Sequence, residues 1–165
     1  MKKKLINVRY LPTKLSKKDK KKQFNMIQKS RKLYKKKKYF TRKKVKSFQS
    51  KPSQHIINAR KIYKIDSIRP SMKLANKTGC SIKSLKKIVS KGEGAYYSSG
   101  SRPNQTPQSW GYARLASSIT GGKAAAVDYN ILEQGCEMES HALRLAKKAK
   151  RKHGKGTRKV PKTKL

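Results

Sequence analysis

A chain of 165 residues holds one ordinary domain or two small ones, with at most a modest core, and is too short for a large multidomain machine. It carries 46 Lys and Arg against 7 Asp and Glu, a formal charge of +39, and a compact fold with that excess repels itself unless an anionic partner neutralises it. No stretch approaches the roughly 20 apolar residues that cross a bilayer and the first residues lack the apolar run of a secretory signal, so a soluble protein made inside the cell is expected. Its polyanion is nucleic acid, an anionic membrane leaflet or an acidic protein surface.

Charge divides the chain. Residues 1–92 carry 32 Lys and Arg against Asp19 and Asp66, residues 93–139 carry three bases against five acids, and residues 140–165 carry eleven bases and no acid. A near-neutral segment able to fold by itself therefore lies between basic stretches. Residues 1–52 read as a basic arm with one amphipathic helix. Ser16 is placed to cap a helix through Lys17 to Lys36, because a Ser side chain accepts a bond from an otherwise unpaired first-turn N–H. The apolar stripe of that helix, Phe24, Ile27 and Tyr34, is narrow and surrounded by lysines, too thin to hold the helix against like-charge repulsion between turns. The arm is expected to order mainly on binding. From Lys38 to Lys51, Tyr39, Phe40, Val45 and Phe48 interleave with Arg42, Lys43, Lys44 and Lys46. The pattern either stacks rings on bases or anchors the arm to the core, and anchoring is the commoner use.

The helical core is expected over residues 53–149. Ser53 opens a short helix carrying Ile56, Ile57, Ala59, Ile62 and Tyr63, which ends before Asp66, and Arg69-Pro70 forces extended backbone ahead of the next helix. Residues 72–91 fit a helix-turn-helix pair. Ala75 permits close approach of the second helix, Gly79 can take the positive φ of a sharp turn, Leu74, Leu85 and Ile88 face one another, and Ser81 caps the second helix. The outer side of that helix carries Lys83, Ser84, Lys87 and Lys91, with Lys86 at its flank, as a helix entering a major groove would. The candidate nucleic-acid contacts are therefore Ser81, Lys83, Ser84, Lys86, Lys87 and Lys91, with Arg42, Lys43 and Lys44 from the arm. Two short helices joined at a Gly turn are also common as plain packing units, and the lysine-rich setting is what favours the binding reading. With no Arg, Asn or Gln on the helix, sequence discrimination is expected to be weak.

Residues 93–111 are rich in Gly, Ser and aromatic residues and read as a long loop. Tyr97, Arg102, Asn104, Gln105, Gln108 and Trp110 either build a polar site for a base or phosphate or satisfy the loop's own backbone groups. Gly111 to Thr120 and Lys123 to Gln134 read as two helices punctuated by Gly121-Gly122 and Gly135, and a last helix near Ser140 to Lys152 places Ala142, Leu145, Ala146 and Ala149 on one side. Residues 150–165 read as a basic, disordered tail whose lysines hold phosphates. The fold class is all-α.

Cys80 and Cys136 form no CxxC and have no His at ligand spacing, so neither a zinc site nor a disulfide framework is indicated, and both are expected to be reduced and semi-buried. His55, His141 and His153 lie far apart, and no HExxH, GxSxG, P-loop or paired-carboxylate pattern occurs. A non-enzymatic protein with no cofactor or metal is expected, with duplex DNA as its leading partner.

The segments Thr41 to Ser47, Lys91 to Thr106 and Ser109 to Ala116 resemble an uncharacterised family encoded by large DNA viruses of algae and other protists, a likeness spanning roughly Ser16 to Ala149. The resemblance implies a viral source and no specific activity. Two roles then compete. One is a DNA-binding protein acting on the genome in the nucleus or a cytoplasmic viral factory. The other is a small basic virion protein, a minor capsid component contacting capsid proteins, an anionic membrane surface or the genome.

Overall fold

Serine side chains cap four of the helices. Ser16 Oγ accepts from the Asp19 N–H at 3.1 Å before α1 (Lys17–Lys35), and Ser71 Oγ accepts from the Leu74 N–H at 3.1 Å before α3 (Met72–Thr78). Ser81 Oγ does the same for the Ser84 N–H at 3.2 Å before α4 (Ile82–Ser98), and Ser140 Oγ for the Leu143 N–H at 3.3 Å before α8 (His141–His153). Ser53 stands ahead of α2 (Gln54–Tyr63) without a side-chain bond. The computed structural model describes residues 5–155 and 161–165. Those residues are mostly helical, as the all-α reading expects, with a two-stranded antiparallel ribbon of β1 (Ile6–Asn7) and β2 (Lys162–Thr163). The chain forms two compact units.

The first unit comprises Met1–Lys51, Glu93–Trp110 and Lys159–Leu165, so the expected arm is part of a folded body. Ile6, Leu11, Leu15, Met26, Ile27 and Val45 are its buried centre, with Tyr10, Phe24, Phe40 and Phe48 packed against them. The inner face of α1 is Gln23, Met26, Ile27 and Ser30, the i, i+3, i+4, i+7 row of a packed helix. Its two polar members are satisfied: Gln23 Nε2 donates to the Ser101 carbonyl at 3.3 Å and the Ser30 hydroxyl to the Tyr97 carbonyl at 3.0 Å. Tertiary burial therefore packs α1 into the first unit, where the sequence led to an arm that orders mainly on binding. The Asp19 carboxylate accepts from the Ser47 hydroxyl at 2.6 Å and the Ser47 N–H at 2.8 Å, and these bonds hold its carboxyl below the usual carboxylate range. The expected disordered tail is also revised. Within it α8 continues to His153 and Thr163 pairs with Ile6, while residues 156–160 lie outside the described residues.

The loop expected over 93–111 shortens at both ends. Helix α4 continues through Ser98, and α5 (Pro107–Ile119) starts ahead of Gly111. A reciprocal cap sets that start: Thr106 Oγ1 accepts from the Ser109 N–H at 3.0 Å and Ser109 Oγ from the Thr106 N–H at 2.9 Å, with Pro107 at the first helical position, where its missing N–H costs nothing.

The second unit comprises Pro52–Gly92 and Gly111–Arg158. Its core draws Leu74, Leu85 and Ile88 together with Leu115, Ile119 and Leu132, all fully buried. Backbones come close where α4 meets α5, since a Cβ on Gly92 would lie 2.6 Å from the Gly111 Cα, leaving room for hydrogen alone. The single helix expected over 123–134 divides at Asp128 into α6 (Lys123–Val127) and α7 (Tyr129–Gly135). Asp128 is buried, and its carboxylate takes the Arg114 guanidinium at 2.9 and 2.8 Å, the Ser118 hydroxyl at 3.0 Å and Lys91 Nζ at 3.3 Å. Tyr63, also buried, donates to the Ile119 carbonyl, and burial pushes its phenol well above the usual range.

Cys80 and Cys136 are joined as a disulfide across 56 residues, correcting the reduced-thiol expectation. Backbone bonds frame the link, from the Ser81 N–H to the Gly135 carbonyl and from the Glu137 N–H to the Gly79 carbonyl, each 2.8 Å. The turn between α3 and α4 is thereby tied to the connection between α7 and α8.

Candidate nucleic-acid interface

The pair α3–α4 has the local geometry expected of residues 72–91. Gly79 ends α3 at φ +74°, a left-handed conformation that a side chain would strain. With Leu85, Ile88 and Val89 buried, α4 exposes Lys83, Lys86, Lys87 and Ser90 on its other side, the spacing of one helical face. Ser81 is exposed at the start of the helix. Two candidates on α4 are otherwise engaged. Ser84 is 8% exposed, its Oγ 2.8 Å from that of Ser81, and it packs against Gly135, so, unlike the sequence expectation, it presents little surface to a partner. Lys91 is exposed but leans on Asp128.

The N-terminal end of α4 is not a bare probe. The Cys136–Ser140 connection is bonded to its turn and carries exposed Glu137 and Glu139. Recognition helices read bases with their N-terminal residues. Carboxylates beside that end repel phosphate, whereas the lysine side of α4 attracts it.

Arg42 is not the surface contact expected from the sequence. It is 7% exposed, its guanidinium donating to Ser30 Oγ at 3.1 Å, the Tyr96 carbonyl at 2.8 Å and Ser101 Oγ at 2.8 Å, with the Tyr96 ring 3.7 Å away. Burial draws its pKa below the usual arginine value. The same burial raises the Tyr96 phenol, against which the nearby guanidinium acts. This arginine is a structural centre of the first unit. Its neighbours Lys43 and Lys44 are exposed.

The polar loop residues are mostly occupied by the chain itself. Asn104, at φ +63°, accepts the Val45 N–H at 2.7 Å and donates to the Val45 and Phe48 carbonyls at 3.2 and 2.7 Å. Gln105 accepts from the Ser109 hydroxyl at 2.8 Å, and Trp110 meets Tyr10 edge-on. Arg102 and Gln108 remain exposed, and Tyr97 joins a ring cluster with Tyr34 and Tyr39. Asn104 is thus a clamp on residues 45–48, and these six side chains do not converge on one site.

A second cationic face was missed in the sequence. Helix α8 buries Ala142, Leu143, Ala146 and Ala149 and exposes Arg144, Lys147, Lys148 and Arg151. The i, i+3, i+4, i+7 spacing of those four cations was the available signal. Tyr129, Lys147, Lys150 and Arg151 line a shallow hollow of ~530 Å³, with Lys150 Nζ 4.2 Å from the Tyr129 ring centre.

Seven acids cannot neutralise 46 bases, and Asp128 spends its charge internally on Arg114 and Lys91. Among the described residues no group of three or more His, Cys, Asp or Glu could hold a metal ion, and no helix is long and apolar enough to cross a membrane. Fold and side chains together define a small helical protein with lysine-rich helix faces. Residues 7–135 match DUF5824, a family of unknown function, and the chain belongs to that family. No curated protein and no solved structure matches it.

Proposed function

We propose that this is a non-enzymatic, virus-encoded DNA-binding protein that holds duplex DNA mainly through phosphate contacts, with weak sequence preference. The observation that carries the reading is the row Lys83, Lys86 and Lys87 on the exposed side of α4, opposite a buried apolar side. The cationic side of α8 in the second unit and, separately, Lys43 and Lys44 in the first offer further phosphate contacts. The viral source rests on the resemblance of the Lys91 to Thr106 segment. Several lysines contacting phosphates together give a steep fall of affinity with salt, with a log–log slope of about −0.9 per phosphate neutralised on B-form duplex.

The expected result is that Lys83→Glu with Lys87→Glu weakens duplex binding more than about tenfold beyond the loss from Lys17→Glu with Lys21→Glu, a difference of ~1.4 kcal/mol. Mobility shifts at two salt concentrations measure it. Equal losses from the two pairs would refute a privileged role for α4.

The disulfide favours a second reading, as a small structural component of the virion, because such bonds persist in oxidising settings that include particle surfaces. There the lysines would meet acidic capsid proteins or anionic lipid, at about 1 kcal/mol per residue near a leaflet. Anionic vesicles in the same assay distinguish the two.

A further inference from the structure

The four apolar residues of 38–51 divide in the structure. Phe40, Val45 and Phe48 pack on the core of the first unit, whereas Tyr39 is 69% exposed. Tyr39 stands 5.1 Å from Tyr97 and 6.2 Å from Tyr34, centroid to centroid, and tilted to both, while Tyr34 and Tyr97 are parallel within 9° at 6.3 Å. Three phenol rings thus share a surface beside Lys35, Lys36, Lys37 and Lys38, all exposed.

The arrangement is held in place. The N–H groups of Lys36 and Lys38 both bond the Leu33 carbonyl and that of Lys37 the Tyr34 carbonyl, each at 2.9 Å, turning the chain so that Tyr39 returns to Tyr34. Tyr97 is fixed from behind by the Ser30 hydroxyl on its carbonyl and by the edge-on Tyr96 ring. Lys37 holds this turn at φ +58°, where glycine is less strained.

We propose that Tyr34, Tyr39 and Tyr97 are a stacking surface for unpaired bases of single-stranded DNA, with Lys35 to Lys38 holding the flanking phosphates. The exposed rings of Tyr34 and Tyr39, with the half-buried ring of Tyr97, beside a lysine run match what such a strand offers, alternating π faces and negative charge. A fully paired duplex hides its base faces, so this surface distinguishes melted or single-stranded DNA from duplex. The proposal rests on the DNA-binding reading above and adds a second substrate form to it.

Fluorescence anisotropy of the full chain with a labelled oligodeoxythymidine and an abasic strand of equal length provides the test, since the two carry the same phosphates. The wild type is expected to prefer the strand with bases by about fivefold to hundredfold, the range of one base–ring stack. Tyr39→Ala should erase that preference and Tyr39→Phe should keep it, with duplex affinity and melting temperature unchanged in both. Equal wild-type affinity for the two strands, or equal losses on both in Tyr39→Ala, would overturn the stacking surface while leaving duplex binding standing. A preference for oligouridine over oligodeoxythymidine would overturn the assignment to DNA. Failure to bind any polynucleotide at low salt would overturn this proposal together with the reading it rests on.

Discussion

Replacing Arg114 by Ala is expected to remove about 3–5 kcal/mol of stability, a large share of the ~5–15 kcal/mol that holds a typical domain. Asp128 has no exposed side-chain surface, and Arg114 gives it two parallel bonds. Without that fork the carboxylate keeps Ser118 and a single point charge from Lys91, too little to replace the solvation it lost on burial. Removing both charges should be milder than removing Arg114 alone, because the double variant Arg114→Ala with Asp128→Ala leaves no uncompensated buried carboxylate. Urea denaturation of the two variants beside the wild type measures this order. A single variant within about 1 kcal/mol of the wild type would mean that water reaches Asp128 after all.

Cys136→Ser is expected to cost about 4 kcal/mol, the chain-entropy value for a closed loop of this length. The loss acts chiefly through the unfolded chain, so the folded variant should keep the helix content of the parent. Adding reductant should destabilise the wild type by a similar amount and leave the variant unaffected. Thiol labelling of denatured, unreduced protein supplies a second check. The wild type should give no reaction, and two reactive thiols would refute the bond.

Helix positions were legible because their signals are local. Ser16, Ser81 and Ser140 begin helices as read, and Gly79 turns where a glycine was needed. The first 52 residues misled for a physical reason. Counting apolar residues on α1 gave Phe24, Ile27 and Tyr34, yet the buried row includes Gln23 and Ser30, polar residues made acceptable inside by partners at Ser101 and Tyr97 that are far away in sequence. Arg42 was hidden in the same way. Among lysines it reads as one more phosphate contact, and only folding brings Ser30, Tyr96 and Ser101 around it. The cysteines carry no pairing signal across 56 residues, since the backbone bonds that align them come from tertiary structure. At the candidate site, the lysine side of α4 followed from helical spacing, whereas the inward turn of Ser84 depends on Gly135 from a different helix.

The alanine-lined α8 has a thermodynamic consequence for the free protein. Its outward cations, Arg144, Lys147, Lys148 and Arg151, sit one turn apart and repel one another, while its buried side offers mainly methyl groups as compensation. Added electrolyte shortens the range of that repulsion to about 10 Å at 0.1 M and 3 Å at 1 M. Sodium chloride should therefore raise the melting temperature of the unliganded chain over the same interval in which it weakens the proposed phosphate contacts, and differential scanning calorimetry of the free chain beside mobility shifts would register the two opposed trends.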